Sequence, residues 1–200
     1  MADIERLQKN LTSHGFRTSF FQTKEEAADY LCASIHNSTV GFGGSKTLED
    51  LGLYERLCID NKVLWHWKQD ATEAKKQAAL ANIYLSSVNG VSETGVLVNI
   101  DGGGNRLAGT LWGRDKVYFV VGVNKIAPDL EQAIWRARNI AAPMNAKRFA
   151  VDTPCVKSET MRCYDCNSKE RICKGLLILW RKMDGIKECE VVIINKNLGF

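Results

Sequence analysis

The sequence predicts an α/β fold in which a mainly parallel sheet carries helices on both of its faces. Short apolar runs of strand length alternate along the chain with stretches whose apolar residues recur at helical spacing. The most apolar run, residues 116–123, is typical of a central parallel strand, which is buried on both faces. Strands that alternate with helices build βαβ units, and such units form a parallel sheet between two layers of helices.

Five helices are predicted from apolar periodicity and from capping residues. Ile4, Leu7 and Leu11 have helical spacing in the first of them. Thr23 and Glu26 form a capping box at the start of the second helix, because each side chain can bond a free backbone N–H of the other. The predicted helices cover residues 3–14, 23–35, 47–57, 71–81 and 128–142.

Eight strands are predicted from short runs rich in β-branched and aromatic residues. The last two runs are expected to close the sheet. The predicted strands cover residues 16–21, 39–42, 63–67, 83–87, 96–100, 116–123, 176–180 and 190–194.

Length and composition predict one domain over residues 1–200, which includes a cysteine-rich segment at residues 152–175. Two hundred residues, 45% of them hydrophobic and 25% charged, are enough to bury a sizeable core. The N-terminus lacks the apolar stretch of a signal peptide, and no apolar run is long enough to span a membrane. Seven cysteines without an export signal indicate reduced thiols, so a cytoplasmic location is expected.

The net charge of +4 is concentrated near the cysteines. Residues 143–182 hold nine Lys or Arg against four Asp or Glu, an excess of five. A nucleic-acid surface would interleave such a patch with exposed aromatic residues, but only Tyr164 is aromatic among the cysteines. We therefore expect no nucleic-acid partner, and we interpret the cations as solvated or as balancing thiolate charge.

Four cysteines within nineteen residues are the most specific signal in the sequence. Their spacing is C-x7-C-x2-C-x6-C, and the Cys-x-x-Cys pair can direct two thiolates at one ion from a single turn. Four thiolates are the ligand set of a structural zinc site or of a cubane iron–sulfur cluster, and the sequence leaves both open. The alternative is four unliganded thiols in a mobile loop. The predicted metal ligands are Cys155, Cys163, Cys166 and Cys173.

The first glycine-rich loop, GFGGSKT at residues 41–47, joins a predicted strand to a predicted helix. Backbone amides and the positive end of a helix dipole suit a phosphate or a carboxylate there. The spacing matches neither the P-loop nor the dinucleotide fingerprint, so no nucleotide cofactor is expected. A tight turn that needs glycine for its backbone angles is the competing interpretation. The candidate binding residues are Gly43, Gly44, Ser45 and Thr47.

A second glycine-rich loop, DGGGNR at residues 101–106, follows another predicted strand. Its Gly103, Gly104 and Asn105 are further candidate binding residues. Glu93 and Asp101 are carboxylates at strand ends, where open α/β sheets place their ligands. Solvated acids beside a turn are the alternative.

Lys125 follows the most apolar strand, so it can meet an anionic ligand or pair with Glu93 or Asp101. A solvated lysine at a strand end is the commoner case. If all three belong to one parallel sheet, they should converge on one cleft with the first glycine-rich loop.

Several motifs, taken in order, resemble the LUD domain of lactate-utilization proteins. They are GFGGSKT, then SETG, LVNIDGGGNRLAG, VYFVVGVNKIAPDLEQA and VVIINKNLGF. The segment CYDCNSKERIC is similar to the cysteine-bearing tail of many members. The resemblance covers nearly the whole chain.

The resemblance implies the fold of the ribose-phosphate isomerase, glucosamine-phosphate deaminase and CoA-transferase group. In that group the first glycine loop binds phosphate or carboxylate, while acids and a lysine from later strand ends do the chemistry. Carried onto this chain, the resemblance gives acid–base candidates at Glu93, Asp101 and Lys125.

The resemblance also implies a small stand-alone member that acts as an accessory or small subunit in oxidation of L-lactate, or a related organic acid, to pyruvate. Its ligand would be a small anionic metabolite, and its partners iron–sulfur oxidoreductase subunits. One alternative is a stand-alone enzyme on a sugar phosphate or acyl-CoA, with Glu93 and Lys125 in its site. A second alternative is an interaction module with a zinc knuckle. The sequence leaves homo-oligomer formation open.

Overall fold

The computed structural model describes residues 2–200 and has a six-stranded parallel sheet at its centre. All neighbouring strands in this sheet pair in parallel. In spatial order the strands are β1 (Arg17–Phe21), β10 (Ile186–Ile194), β7 (Arg114–Gly122), β4 (Ile83–Ser86), β2 (Thr39–Phe42) and β3 (Lys62–Leu64).

Helices cover both faces of this sheet. The α-helices are α1 (Ile4–Ser13), α2 (Lys24–Ser34), α3 (Lys46–Asp50), α4 (Leu53–Leu57), α5 (Ala71–Ala78), α6 (Asn105–Gly109), α7 (Leu130–Arg136), α8 (Ala142–Arg148) and α9 (Pro154–Lys157). Alternate residues of β7 point to opposite faces: Tyr118 and Val120 pack in one core with α2, α3 and α4. Phe119 and Val121 pack in a second core with α1 and α5. The predicted α/β fold is confirmed.

A second, four-stranded sheet completes the second core. Its order is β8 (Ile126–Ala127), β5 (Gly90–Ser92), β6 (Leu97–Asp101) and β9 (Gly175–Leu179). Strand β6 pairs antiparallel with both β5 and β9, while β5 and β8 are parallel. The expectation that residues 176–180 close the parallel sheet is therefore wrong, because apolar periodicity does not show which strand will be the partner. Sequence reasoning also missed β5 and β8, which have three and two residues.

The helix predicted over residues 128–142 extends further than the sequence indicated. It continues from α7 through a π-helical turn at Ala137–Ala141 into α8, which ends at Arg148. Pro143 lies in the first turn of α8. The π-helical turn changes the hydrogen-bond register before the proline, so the missing N–H falls where a new helical segment starts.

Among residues 2–200, no helix combines the length and the apolar character needed to cross a bilayer.

Candidate functional site

A cavity of about 550 Å³ opens at the carboxyl edge of the parallel sheet. The loop after β2 contributes Ser45 and Thr47, the turn after β4 contributes Ser87, and the turn after β7 contributes Lys125. Strands β2, β4 and β7 are neighbours or share a neighbour, so their carboxyl ends meet at this edge. Open α/β sheets bind their ligands in this position.

The lining of this cavity is strongly basic, and we call it the basic cavity. Eight Lys or Arg side chains line it against two acidic side chains. The cations are Lys46, Lys75, Arg106, Lys125, Arg148, Lys169, Arg171 and Lys174, and the acids are Asp101 and Glu170.

Lys125 is the most deeply buried of these cations, with 3% of its surface exposed. Its Nζ donates to Thr47 Oγ1 at 2.8 Å and to Ser87 Oγ at 2.9 Å. In the described part of the chain no carboxylate forms an ion pair with it. Burial, followed by the charges of Arg136 and Arg106, lowers the pKa of Lys125 well below that of a solvated lysine. A bound anion would reverse this effect by favouring the ammonium form.

Asp101 and Arg106 line the cavity from the second glycine-rich loop. The Asp101 carboxylate accepts the backbone N–H groups of Gly102 at 2.8 Å, Arg106 at 3.1 Å and Leu107 at 3.2 Å. The bonds to Arg106 and Leu107 satisfy free amides in the first turn of α6, so the carboxylate has a capping role. The Arg106 guanidinium donates to Asn89 Oδ1 at 3.1 Å and to the carbonyl of Ile100. Burial lowers the pKa of Arg106, while the Asp101 charge opposes that shift.

Aromatic residues form another side of the basic cavity. The Arg148 guanidinium lies 4.7 Å from the centre of the Trp67 ring, within cation–π range. His66 is beside this pair; burial and then the charge of Lys75 lower its pKa. A neutral imidazole can both donate and accept a hydrogen bond.

The two glycine-rich loops contribute most, but not all, of their predicted binding residues. Gly44, Ser45 and Thr47 line the cavity from the first loop, and Gly103 and Asn105 line it from the second. Gly43 and Gly104 are not among the lining residues.

Those two glycines shape the wall instead. A Cβ on Gly43 would lie 2.7 Å from Arg106 Cγ, so glycine lets the arginine pack against this backbone. Gly104 has φ +79° at the N-cap of α6, a conformation that favours glycine.

Glu93 lies outside the basic cavity. Its carboxylate accepts the backbone N–H of Asp3 at 3.0 Å and pairs with Arg6 at 3.5 Å, both at the N-terminal end of the chain. The expectation that Glu93, Asp101 and Lys125 end strands of one parallel sheet is wrong. Glu93 follows β5 and Asp101 ends β6, and both strands belong to the second sheet. The structure therefore brings Asp101 and Lys125 to one cavity and leaves Glu93 elsewhere.

The four clustered cysteines line a second, much smaller cavity of about 20 Å³, which we call the thiol cavity. Each of the four is half-buried and free of disulfide bonds. Within residues 2–200, no three His, Cys, Asp or Glu side chains are arranged closely enough to hold one metal ion. The lining cysteines are Cys155, Cys163, Cys166 and Cys173.

Sequence reasoning missed several side chains of the basic cavity. Arg106 belongs to the DGGGNR motif, and a basic residue in a glycine-rich loop was the available signal. Ser87, Trp67 and Arg148 carry no local signal, because only the packing of three separate segments brings them to one cavity.

The comparisons with known proteins agree with this fold. The model of the LUD domain matches residues 4–194. A crystal structure of a DUF162 family protein from Deinococcus radiodurans superposes with a TM-score of 0.58 and 12% identity. The match covers 96% of this chain and 95% of that one, and at this identity it shows the fold alone. No curated protein matches the sequence. Because the family model spans nearly all of the chain, the protein belongs to the LUD-domain family.

Proposed function

We propose that the basic cavity binds a small organic acid, and that the protein is an accessory or small subunit in oxidation of L-lactate, or a related acid, to pyruvate. The oxidation removes two electrons, and the chain carries no nucleotide cofactor fingerprint. The proposal therefore assigns the electrons to iron–sulfur partner subunits.

The buried amino group of Lys125, which has no carboxylate partner among the described residues, is the observation that supports this proposal most. Removing a charge from water is costly unless a counter-charge compensates it. Thr47 and Ser87 supply hydroxyl oxygens to this group but no negative charge. A ligand carboxylate would supply the missing charge and would bond the N–H of Lys125 that these hydroxyls leave free.

The remaining polar groups of the cavity suit orientation of the acid. Arg106 lines the cavity beside Asp101, and a guanidinium can bind a carboxylate through two parallel hydrogen bonds. His66 can bond a hydroxyl or carbonyl oxygen next to that carboxylate. Glu93 has no part in this proposal because it lies outside the cavity.

The size of the cavity favours a second candidate function. A volume of about 550 Å³ exceeds what a three-carbon acid requires, and it falls within the range of sites for larger metabolites. A sugar phosphate or an acyl-CoA would use the same cations. An enzyme on such a substrate would need its proton transfers from Asp101, Lys125 or His66, since Glu93 is elsewhere.

Calorimetric titration with a panel of anions tests the proposal. The panel contains L-lactate, D-lactate, pyruvate, ribose 5-phosphate and acetyl-CoA. We expect L-lactate or pyruvate to bind, and Lys125→Met to lower that affinity about 30-fold or more, because loss of a buried charge partner costs roughly 2–5 kcal/mol. Lys62→Met is the matched control, since Lys62 is exposed on the edge strand β3.

The outcomes separate the two candidates. Binding of ribose 5-phosphate or acetyl-CoA without binding of either organic acid would replace the first proposal by the second. Unchanged L-lactate affinity in Lys125→Met would contradict the role of the buried ammonium group. Copurification of iron–sulfur subunits with the tagged chain from cells grown on lactate tests the accessory role.

A further inference from the structure

The thiol cavity collects donors around its sulfur atoms. Cys163 Sγ accepts the backbone N–H of Asp165 at 3.4 Å and lies 3.6 Å from Arg138 Nη2. Cys155 Sγ lies 3.2 Å from the hydroxyl of Thr153. Donors of this kind commonly surround the sulfur ligands of metal sites.

The segment that carries these cysteines has little apolar packing of its own. Residues 158–174 contain no helix or strand, and most of their side chains are exposed or half-buried. Arg171 holds the segment together by donating to the carbonyls of Cys166 at 2.6 Å and Cys173 at 2.8 Å. Ser168 Oγ donates to the carbonyl of Asp152 at 2.7 Å. Such a polar loop gains its stability from a bound ion more readily than from a core.

The same segment is a wall of the basic cavity. Arg171, Ile172 and Cys173 line both cavities, so the two are separated only by this short piece of chain and by α8. The backbone N–H of Lys174 donates to the carbonyl of Asp101 at 2.9 Å. The fold therefore ties the cysteine segment directly to the loop that carries Arg106.

The size of the thiol cavity limits what it can hold. About 20 Å³ is room for one water-sized species. A single divalent ion is of this size, and to bind it the sulfur atoms must come closer together than they lie in residues 2–200 of this structure. A cubane cluster is larger than the cavity. Four thiolates with two nearby guanidinium groups suit zinc, whose tetrathiolate complex carries a net negative charge.

We propose that the four thiols bind one zinc ion, and that this ion fixes the wall of the basic cavity so that zinc and the organic acid bind cooperatively. The second part rests on the proposed function. Each ligand would order the same segment, and the cooperativity is reciprocal by thermodynamic linkage.

The experiment uses the full chain produced anaerobically with both zinc and iron supplied. Metal analysis should give one zinc per chain, and the four clustered thiols should resist a thiol reagent until a chelator is added. Titration with L-lactate should give an affinity about 5–150-fold higher for the zinc-loaded protein than for the chelated protein.

Paired variants provide the control. Cys163→Ser combined with Cys166→Ser should lose zinc and bind L-lactate as the chelated protein does. Cys32→Ser combined with Cys58→Ser should retain zinc, since these cysteines lie outside the thiol cavity. Circular dichroism checks that both double variants keep the α/β core.

The possible failures are distinguishable. If the protein contains no metal and its four clustered thiols react freely, the proposed metal site is wrong. If the protein is brown and contains iron and sulfide, the assignment of a single zinc ion is wrong. Zinc binding with equal L-lactate affinity in both forms overturns the cooperativity alone. Zinc binding without any L-lactate binding overturns the proposed function and the cooperativity together, while the zinc site stands.

Discussion

The two ends of β7 each place a lysine in a largely buried setting, but the two lysines have opposite surroundings. Lys116, near the start of the strand, lies 3.1 Å from Glu190 Oε2 and 3.5 Å from Glu188. Lys125, just beyond the carboxyl end, has two hydroxyl partners and no carboxylate partner. Burial alone would lower the pKa of Lys116, but the Tyr118 hydroxyl and the Glu190 carboxylate outweigh it and raise that pKa.

This difference separates a structural charge from a charge available for a ligand. The charges of Lys116 and Glu190 compensate each other within the fold, so no bound ligand is needed to balance either of them. The charge of Lys125 is opposed by burial and by neighbouring arginines, so the folded protein is less stable there than it would be with an apolar side chain. A local loss of folding stability of this kind is common at sites where a protein binds a ligand.

Removal of Lys116 should have the largest effect on stability. Lys116→Met leaves Glu190, which is 2% exposed, without its counter-charge, and we expect the free energy of unfolding to fall by about 3–5 kcal/mol. Urea unfolding measures this. Adding Glu190→Gln should recover part of the loss, and L-lactate affinity should not change. If Lys116→Met unfolds at the same urea concentration as the wild type, the ion pair between Lys116 and Glu190 does not stabilise the fold.

Removal of Lys125 should act in the opposite direction. Lys125→Met should raise the free energy of unfolding at pH 7 by about 1–3 kcal/mol, the cost of an incompletely bonded buried polar group. Thr47 and Ser87 keep other partners in the variant, the carbonyls of Leu198 and Val120. Urea unfolding of wild type and variant in parallel provides the measurement. A destabilised variant would mean that Lys125 contributes to the fold in the same way as Lys116.

The pH dependence of stability should distinguish the two lysines further. Because the pKa of Lys125 is lowered in the folded state, the unfolded chain binds more protons, and stability should rise with pH from the folded pKa towards 10.5. The slope is at most about 1.4 kcal/mol per pH unit for one proton. Lys116 has a raised pKa, so its contribution is present below pH 10.5 and is lost only as pH rises through that higher value.

Urea unfolding between pH 7 and 10 therefore tests whether Lys125 is the group that causes the rise in stability with pH. The rise in stability should disappear in Lys125→Met and persist in Lys116→Met. A rise that persists in Lys125→Met would assign the titration to another group.

Removal of one hydroxyl partner should have the smallest effect. Thr47→Val preserves the shape of the side chain but deletes an acceptor for Lys125 Nζ, and we expect a change of about 1 kcal/mol in L-lactate binding. Calorimetric titration at pH 7 measures it, with Thr18→Val on the edge strand β1 as the control. Equal effects of the two substitutions would mean that the hydroxyl does not position the ammonium group.

The basic cavity was partly predictable because some of its residues carry a local signal. The glycines after a strand and the lysine after the most apolar strand each had a purely structural alternative, but Gly44, Ser45, Thr47, Asp101 and Lys125 do line the cavity. Glu93 carried the same kind of signal and lies elsewhere. Position at a strand end does not reveal the sheet to which the strand belongs.

The sequence by itself determined the α/β class, the order of most helices and strands, and the family, because these follow from periodicity and motifs within short stretches of chain. Only the tertiary structure decided that β6 and β9 belong to a separate sheet, that Arg148, Trp67 and Lys125 line one cavity, and that the cysteine segment forms part of its wall. These arrangements depend on contacts between residues far apart in the chain. Such contacts are selected by burial of the whole core and leave no local pattern to read.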